Sequence, residues 1–165
     1  MINHADIIKR IINKAKKNVQ KGYGPFLAAI YDEKGNLIAE ASNSVLKDNC
    51  SNCHAEINVI HEAEKILNNY DLSGYNLSLY ITAEPCIMCL GAIMWSGIKK
   101  IFYSVSTKDV EQITGFDEGF KPNWIEEFQK RGIEVTGGIE ETLGKEVLED
   151  YVKSDRKIYK PSRDK

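Results

Sequence analysis

The chain has 165 residues, 42% of them hydrophobic, with four cysteines and a formal charge of −2 at pH 7. That size suits one compact domain with a sizeable core, and the near-balanced charge gives no overall bias toward nucleic acid or membrane. No apolar run is long enough to span a bilayer, and the amino terminus, with Asp6, Lys9 and Arg10 among its isoleucines, does not read as a secretory signal, so a cytoplasmic location is expected.

Residues 3–21 predict an amphipathic helix capped by Asn3, with Ile8, Ile11, Ile12, Ala15 and Val19 on one stripe. Gly22, Gly24 and Pro25 end it. Residues 26–31 and 37–41 read as a hairpin around Asp32–Asn36, followed by a polar loop over 42–52. From His54 to Leu67 the pattern is helical, with Ile57, Ile60, Ala63 and Leu67 inward. Leu77, Leu79 and Ile81 alternate as a strand, 86–98 reads as a small-residue-rich helix, and 100–105 as another strand. A looser stretch over 106–123 leads to a helix at 124–131, a strand at 133–136 and a last helix from Glu140 to about Ile158. Strands alternating with helices predict a three-layer α/β/α sandwich around a mixed five-stranded sheet, one domain over residues 1–160 with a charged tail at 161–165.

Two stretches carry chemistry. Cys53-His54-Ala55-Glu56 opens one predicted helix, and Glu84-Pro85-Cys86-Ile87-Met88-Cys89 opens another. His54, Cys86 and Cys89 supply three ligands, the number a catalytic zinc keeps while leaving a fourth position for water. Helix starts favour thiolates through their amides and dipole ends, and Cys86 and Cys89 stand one turn apart. Glu56 is then not needed as a ligand and is free to take a proton from the metal's water. The expectation is one Zn2+ per chain and hydrolytic removal of an amino group as ammonia. A second reading pairs Cys50 and Cys53 with Cys86 and Cys89 as a structural four-cysteine zinc site, but it leaves His54 and Glu56 unexplained and spans a longer separation than such knuckles use. Cys50 and Cys53 are therefore read as loop thiols beside the site, open to oxidation. His4 and His61 read as packing or surface residues, His61 lying about 10 Å along the helix from His54.

The H-x-E…P-C-x-x-C pattern is the signature of the zinc deaminases. The chain resembles the cytidine deaminase-like superfamily from its first helix to its last strand. Within it the chain is most similar to bacterial guanine deaminases, through Gly24-Pro25-Phe26, Leu90-Gly91-Ala92-Ile93-Met94-Trp95 and Gly115-Phe116-Asp117-Glu118. The resemblance implies conversion of guanine to xanthine and ammonia, with Glu56 and Asp117 moving protons. It implies a base held by Asn43, Phe26, Ala55, Trp95 and Asp117, and a homodimer in which Tyr151 or Tyr159 covers a pocket. Two departures, Cys50-Ser51-Asn52-Cys53 before the histidine and Leu27 after Phe26, keep other amino-heterocycles open. Rival readings are a tRNA adenosine deaminase, whose phosphate contacts the lysines near both termini would supply, and a zinc module whose metal only holds the fold. Nucleic acid is the less favoured partner, and no membrane is expected.

Overall fold

The computed structural model describes residues 2–160; the charged tail expected at 161–165 lies outside the described residues. Helix α1 runs His4–Val19 and is capped by the Asn3 side chain, which accepts from the Ala5 and Asp6 amides. Strands β1 (Leu27–Tyr31) and β2 (Leu37–Ser42) form the expected antiparallel hairpin. The one-turn helix α2 (Val45–Asp48) occupies the loop expected to be irregular, and α3 (Ala55–Leu67) follows. Then come β3 (Ser78–Ala83), α4 (Ile87–Ser96) and β4 (Lys100–Val105). Beyond them lie α5 (Thr107–Thr114), α6 (Trp124–Lys130), β5 (Glu134–Thr136) and α7 (Glu141–Lys153).

Among the described residues the five strands form one sheet in the order β2-β1-β3-β4-β5. β1 runs antiparallel to β2 and β3, while β3, β4 and β5 are parallel, as right-handed βα crossovers require. Period-two alternation sends successive side chains to opposite faces. Leu79, Ile81, Ile101 and Tyr103 meet α3, α4 and α6 through Val59, Ile60, Ile93, Trp124 and Phe128. Tyr80 and Phe102 point the other way, against Ile8, Ile11 and Ile12 of α1 and Val147 of α7. This is the three-layer mixed sandwich.

Three departures from the sequence reading matter for the site. Residues 107–114, expected to be loose, are helical: the Ser106 hydroxyl caps α5 by accepting from the Asp109 amide, and Val110 packs inward. That S-x-x-D capping pattern was present in the sequence, with only Val110 and Ile113 as apolar residues behind it. Secondly, α7 stops at Lys153 rather than near Ile158, because Asp155 takes a left-handed φ of 52°. The chain then folds back, held by the Tyr151 hydroxyl donating to the Lys157 carbonyl at 2.6 Å. Thirdly, Cys50 and Cys53 form a disulfide, so the expectation of two loop thiols is corrected. A turn in which the Cys53 amide donates to the Cys50 carbonyl brings their Cα atoms within 5.4 Å, inside bridging range.

Candidate metal centre and active site

His54 and Cys86 both occupy N-cap positions with extended backbone, His54 before α3 and Cys86 before α4. Each helix begins where its chain leaves the carboxyl end of the sheet, so the two first turns converge. His54 Nδ1 lies 3.6 Å from Cys86 Sγ and 3.6 Å from Cys89 Sγ, and the two sulfurs are 3.6 Å apart. Zinc–sulfur bonds of about 2.3 Å and a zinc–nitrogen bond of about 2.0 Å at tetrahedral angles need ligand atoms about 3.5–3.8 Å apart. The triangle therefore fits one zinc ion, and these three residues are the group whose donor atoms can hold a metal among the described residues. Cys50 and Cys53 are bonded to each other, which excludes the four-cysteine reading in this state.

The electrostatics agree with a cation site. Contact with Cys89, and more weakly with His54, pulls the Cys86 thiol down to about 4 against the effect of burial. The same contact and burial push Cys89 upward. For His54, burial disfavours the charged ring, but Cys86 and the Glu56 carboxyl together raise its pKa. Glu56 is buried in the first turn of α3. Burial raises its carboxyl above the ordinary range, the neighbouring His54 partly opposing.

His54, Glu56 and Cys86 line a cavity of about 880 Å³. Its wall includes Phe26, Asn43 and Ile81, the α2 residues Val45 and Leu46, the Asp117-Glu118 pair, and Tyr159. Asn43 is 2% exposed, its amide oxygen accepting from the Val45 N–H at 3.2 Å. Phe26 packs edge-on against Phe116 with ring centroids 5.5 Å apart, and Phe116 in turn meets Tyr159 at 4.7 Å. Asp117 lies on the wall with its side chain exposed and accepting from the Gly119 amide.

Two of the expected base contacts lie elsewhere. Trp95 is 84% exposed on the outward face of α4 and is not on the cavity wall, because the inward face of that helix is taken by Cys89, Leu90 and Ile93. Ala55 is sealed in the core beneath α3 rather than facing the cavity.

The sequence reading missed Glu118. It is half-buried, and its carboxyl is pushed up to about 7 by burial first and by the negative charge of Cys86 next, with Lys121 opposing. Glu118 is coupled to Cys86, Glu56 and His54. Its signal was its place beside Asp117 in the same Gly-Phe-Asp-Glu segment. Tyr159, expected only through the resemblance, reaches the wall because the chain turns back after α7. Its hydroxyl is enclosed beside the Asn43 amide without a well-formed hydrogen bond among the described residues, and burial raises it well above the usual tyrosine range, Asn43 opposing.

Residues 1–105 match the cytidine and deoxycytidylate deaminase zinc-binding region. The chain belongs to this family. It is 38% identical over 119 residues to the guanine deaminase of Bacillus subtilis, covering 72% of this chain and 74% of the relative. It is 34% identical over 158 residues to the tRNA-specific adenosine deaminase of the same organism, covering 94% and 92%. The solved guanine deaminase of Nitrosomonas europaea superposes with a TM-score of 0.88 at 35% identity, covering 92% of this chain and 85% of that one.

Proposed function

We propose that the protein is a zinc-dependent guanine deaminase, converting guanine and water to xanthine and ammonia. The observation that carries this reading is the convergence of two carboxyls, Glu56 and Glu118, on the His54-Cys86-Cys89 triangle at one cavity. It is supported by the likeness to guanine deaminases over most of the chain.

His54, Cys86 and Cys89 hold the zinc, which when bound supplies a hydroxide nucleophile at neutral pH. Glu56, buried and with a raised pKa, takes one proton of the water and delivers it to a ring nitrogen, then takes the proton left on the added hydroxyl and passes it to the departing amine. Glu118 shares the cavity wall with Glu56 and is electrostatically coupled to it, and Asp117 lies beside it on the same wall. Asn43 presents its amide to the edge of the base, and Phe26 walls a flat ring. Tyr159 closes the cavity from the carboxyl-terminal side. Its ring is held there by packing on Phe116.

We place the reaction in cytoplasmic purine metabolism, where the zinc thiols stay reduced. Met94 and Trp95 form an exposed apolar stripe near the end of α4, 40% and 84% exposed. We assign that stripe to a second copy of the chain, in a homodimer. Trp95→Glu then shifts the sedimentation coefficient to the monomer, and an unchanged coefficient rejects this interface.

The deciding experiment measures ammonia release by zinc-loaded protein from guanine, adenine, cytosine, their nucleosides and a tRNA anticodon stem-loop. Guanine turnover is expected, with Glu56→Gln lowering kcat by roughly 10²–10⁴-fold while zinc stays bound. Turnover of the stem-loop in preference to guanine rejects the guanine reading and favours the tRNA enzyme. A protein that binds zinc yet turns over none of these compounds points to a structural metal.

A further inference from the structure

The Cys50–Cys53 disulfide has no part in the chemistry described so far. It closes a four-residue ring around the exposed pair Ser51 and Asn52, in the loop between α2 and α3. Cys50 and Ser51 lie on the cavity wall with Val45, Leu46 and Asn49, and Cys53 immediately precedes the zinc ligand His54. The same loop is knit to the base-binding side. The Ser44 amide donates to the Cys53 carbonyl at 2.9 Å, and the Asn58 side chain bridges the Ser42 carbonyl, the Ser44 hydroxyl and the Cys53 carbonyl. Cys86, at the N-cap of α4, and Cys89, in its first turn, remain free thiols.

A ring this short removes little entropy from the unfolded chain, so the bridge acts mainly on local geometry and little on global stability. Both of its cysteines are only half-buried, and accessible bridges are the ones that exchange with thiols. In a reducing compartment a bonded pair of this kind cycles.

We propose that Cys50 and Cys53 form a reversible thiol–disulfide site on the rim of the active-site cavity, opened by a dithiol reductant, whose bridged form fixes the rim for the base. One thiolate of the dithiol attacks a bridge sulfur, forming a mixed disulfide and releasing the other cysteine. The second thiol of the reductant then attacks the mixed disulfide and leaves as a cyclic disulfide. Two electrons and two protons pass to Cys50 and Cys53, and the reductant is oxidised by the same amount. The opened ring frees Ser51 and Asn52 and loosens Asn49 and Cys50 at the wall, while His54, Cys86 and Cys89 keep the metal.

The test uses full-length, zinc-loaded protein equilibrated with graded mixtures of reduced and oxidised dithiothreitol. Each sample is alkylated and mapped by mass spectrometry, and its zinc content is measured. Hydrogen exchange is followed over residues 44–53, and guanine kinetics are taken alongside. Alkylation of Cys50 and Cys53 is expected to appear and disappear reversibly, with one zinc per chain throughout. Exchange over 44–53 should be faster in the reduced form, and KM about threefold higher or more with kcat little changed. The Cys50→Ser/Cys53→Ser double variant should match the reduced form and ignore the redox mixture.

The proposal is overturned by a pair that never bridges, by a bridge that does not reopen, or by equal exchange rates in the two forms. A KM change that tracks loss of zinc also overturns it, because the effect then belongs to Cys86 and Cys89. The kinetic readout rests on the guanine reading. Alkylation and hydrogen exchange do not, so failure of the substrate assignment is distinguishable from failure of the switch.

Discussion

The Trp124 indole N–H donates to Glu84 Oε1 at 2.8 Å, and this bond ties the turn before Pro85 and Cys86 to the far end of the segment that carries Glu118. Glu84 Oε2 accepts from the Thr107 amide, also at 2.8 Å, at the near end of that segment. Lys121 sits 3.6 Å from Oε1. One carboxylate thus pins both ends of residues 107–124 against the zinc turn. Burial opposes its charge, but these donors together hold its pKa below the ordinary value.

Replacing Glu84 by alanine removes the acceptor from all three donors. Hydrogen bonds to a charged acceptor contribute about 1.5–3 kcal/mol each, so a visible loss of stability is expected. Its effect on activity should exceed its effect on zinc content, because Glu84 acts through the position of Glu118. Steady-state kinetics and metal analysis of Glu84→Ala and Glu84→Gln check this. Partial recovery of kcat in the glutamine variant, which keeps one acceptor, is expected. Full zinc loss in both variants would instead assign Glu84 to the metal turn alone.

Glu118 makes the metal-free fold sensitive to pH. Its carboxyl titrates at about 7 in the folded chain, against 4.5 for the ordinary group. Between those values the folded state holds a proton that the unfolded state has released. Stability from this group is therefore highest below the unfolded value and falls as pH rises toward the folded one. Urea unfolding of the metal-free protein should show the wild type losing stability relative to Glu118→Gln between pH 5 and pH 8, while Cys86, drawn down to about 4 in the fold, pulls the slope of both proteins the other way. Glu56, raised in the same direction, leaves a residual slope in the variant. A bound dication beside these carboxyls should lower both and reduce the dependence in the zinc form.

The zinc ligands were legible in the sequence because their chemistry fixes both residue type and helical spacing: a histidine at one helix start, and two cysteines a turn apart at another. The sheet was equally legible, since Leu79, Ile81, Ile101 and Tyr103 alternate against Tyr80 and Phe102 as two buried faces demand. The base-binding wall was harder to read. Trp95 and Phe26 are both aromatic, and only the rotation of α4 shows that one faces outward and the other inward. Glu118 and Asp117 differ by one residue, and the backbone of a loop with no periodic pattern decides which carboxyl is drawn inward. Tyr159 depends on a left-handed residue at Asp155, an ordinary-looking position in an apparently continuous helix.

Metal removal gives a direct check on the centre. Chelation should abolish turnover and expose Cys86 and Cys89 to alkylation, Cys86 first, since its thiol is drawn down to about 4 while Cys89 is held protonated. Peptide mass mapping after a short iodoacetamide pulse separates the two sites. Equal labelling of both would contradict the thiolate order, and labelling that zinc does not prevent would remove them from the ligand set.

Gly24 sets how closely the carboxyl-terminal tyrosine can approach. A Cβ at this position would lie 2.7 Å from the Tyr159 hydroxyl and 3.0 Å from Asn43 Oδ1, contacts too short for carbon. Gly24→Ala should push Tyr159 off the cavity and disturb Asn43, raising KM by about tenfold at little cost to zinc binding. Tyr159→Phe separates the ring from its hydroxyl. The ring still packs on Phe116, so shape is kept, while an enclosed hydroxyl without a partner is removed. Burying such a group unpaired costs about 1–3 kcal/mol, so the phenylalanine variant should melt at the same temperature or higher. Its KM for guanine should nevertheless rise by about fivefold, because the hydroxyl finds its partner in the bound base. A variant that is more stable with unaltered kinetics would reduce Tyr159 to a lid of shape alone, and a less stable one would mean that the hydroxyl is already paired in the free protein.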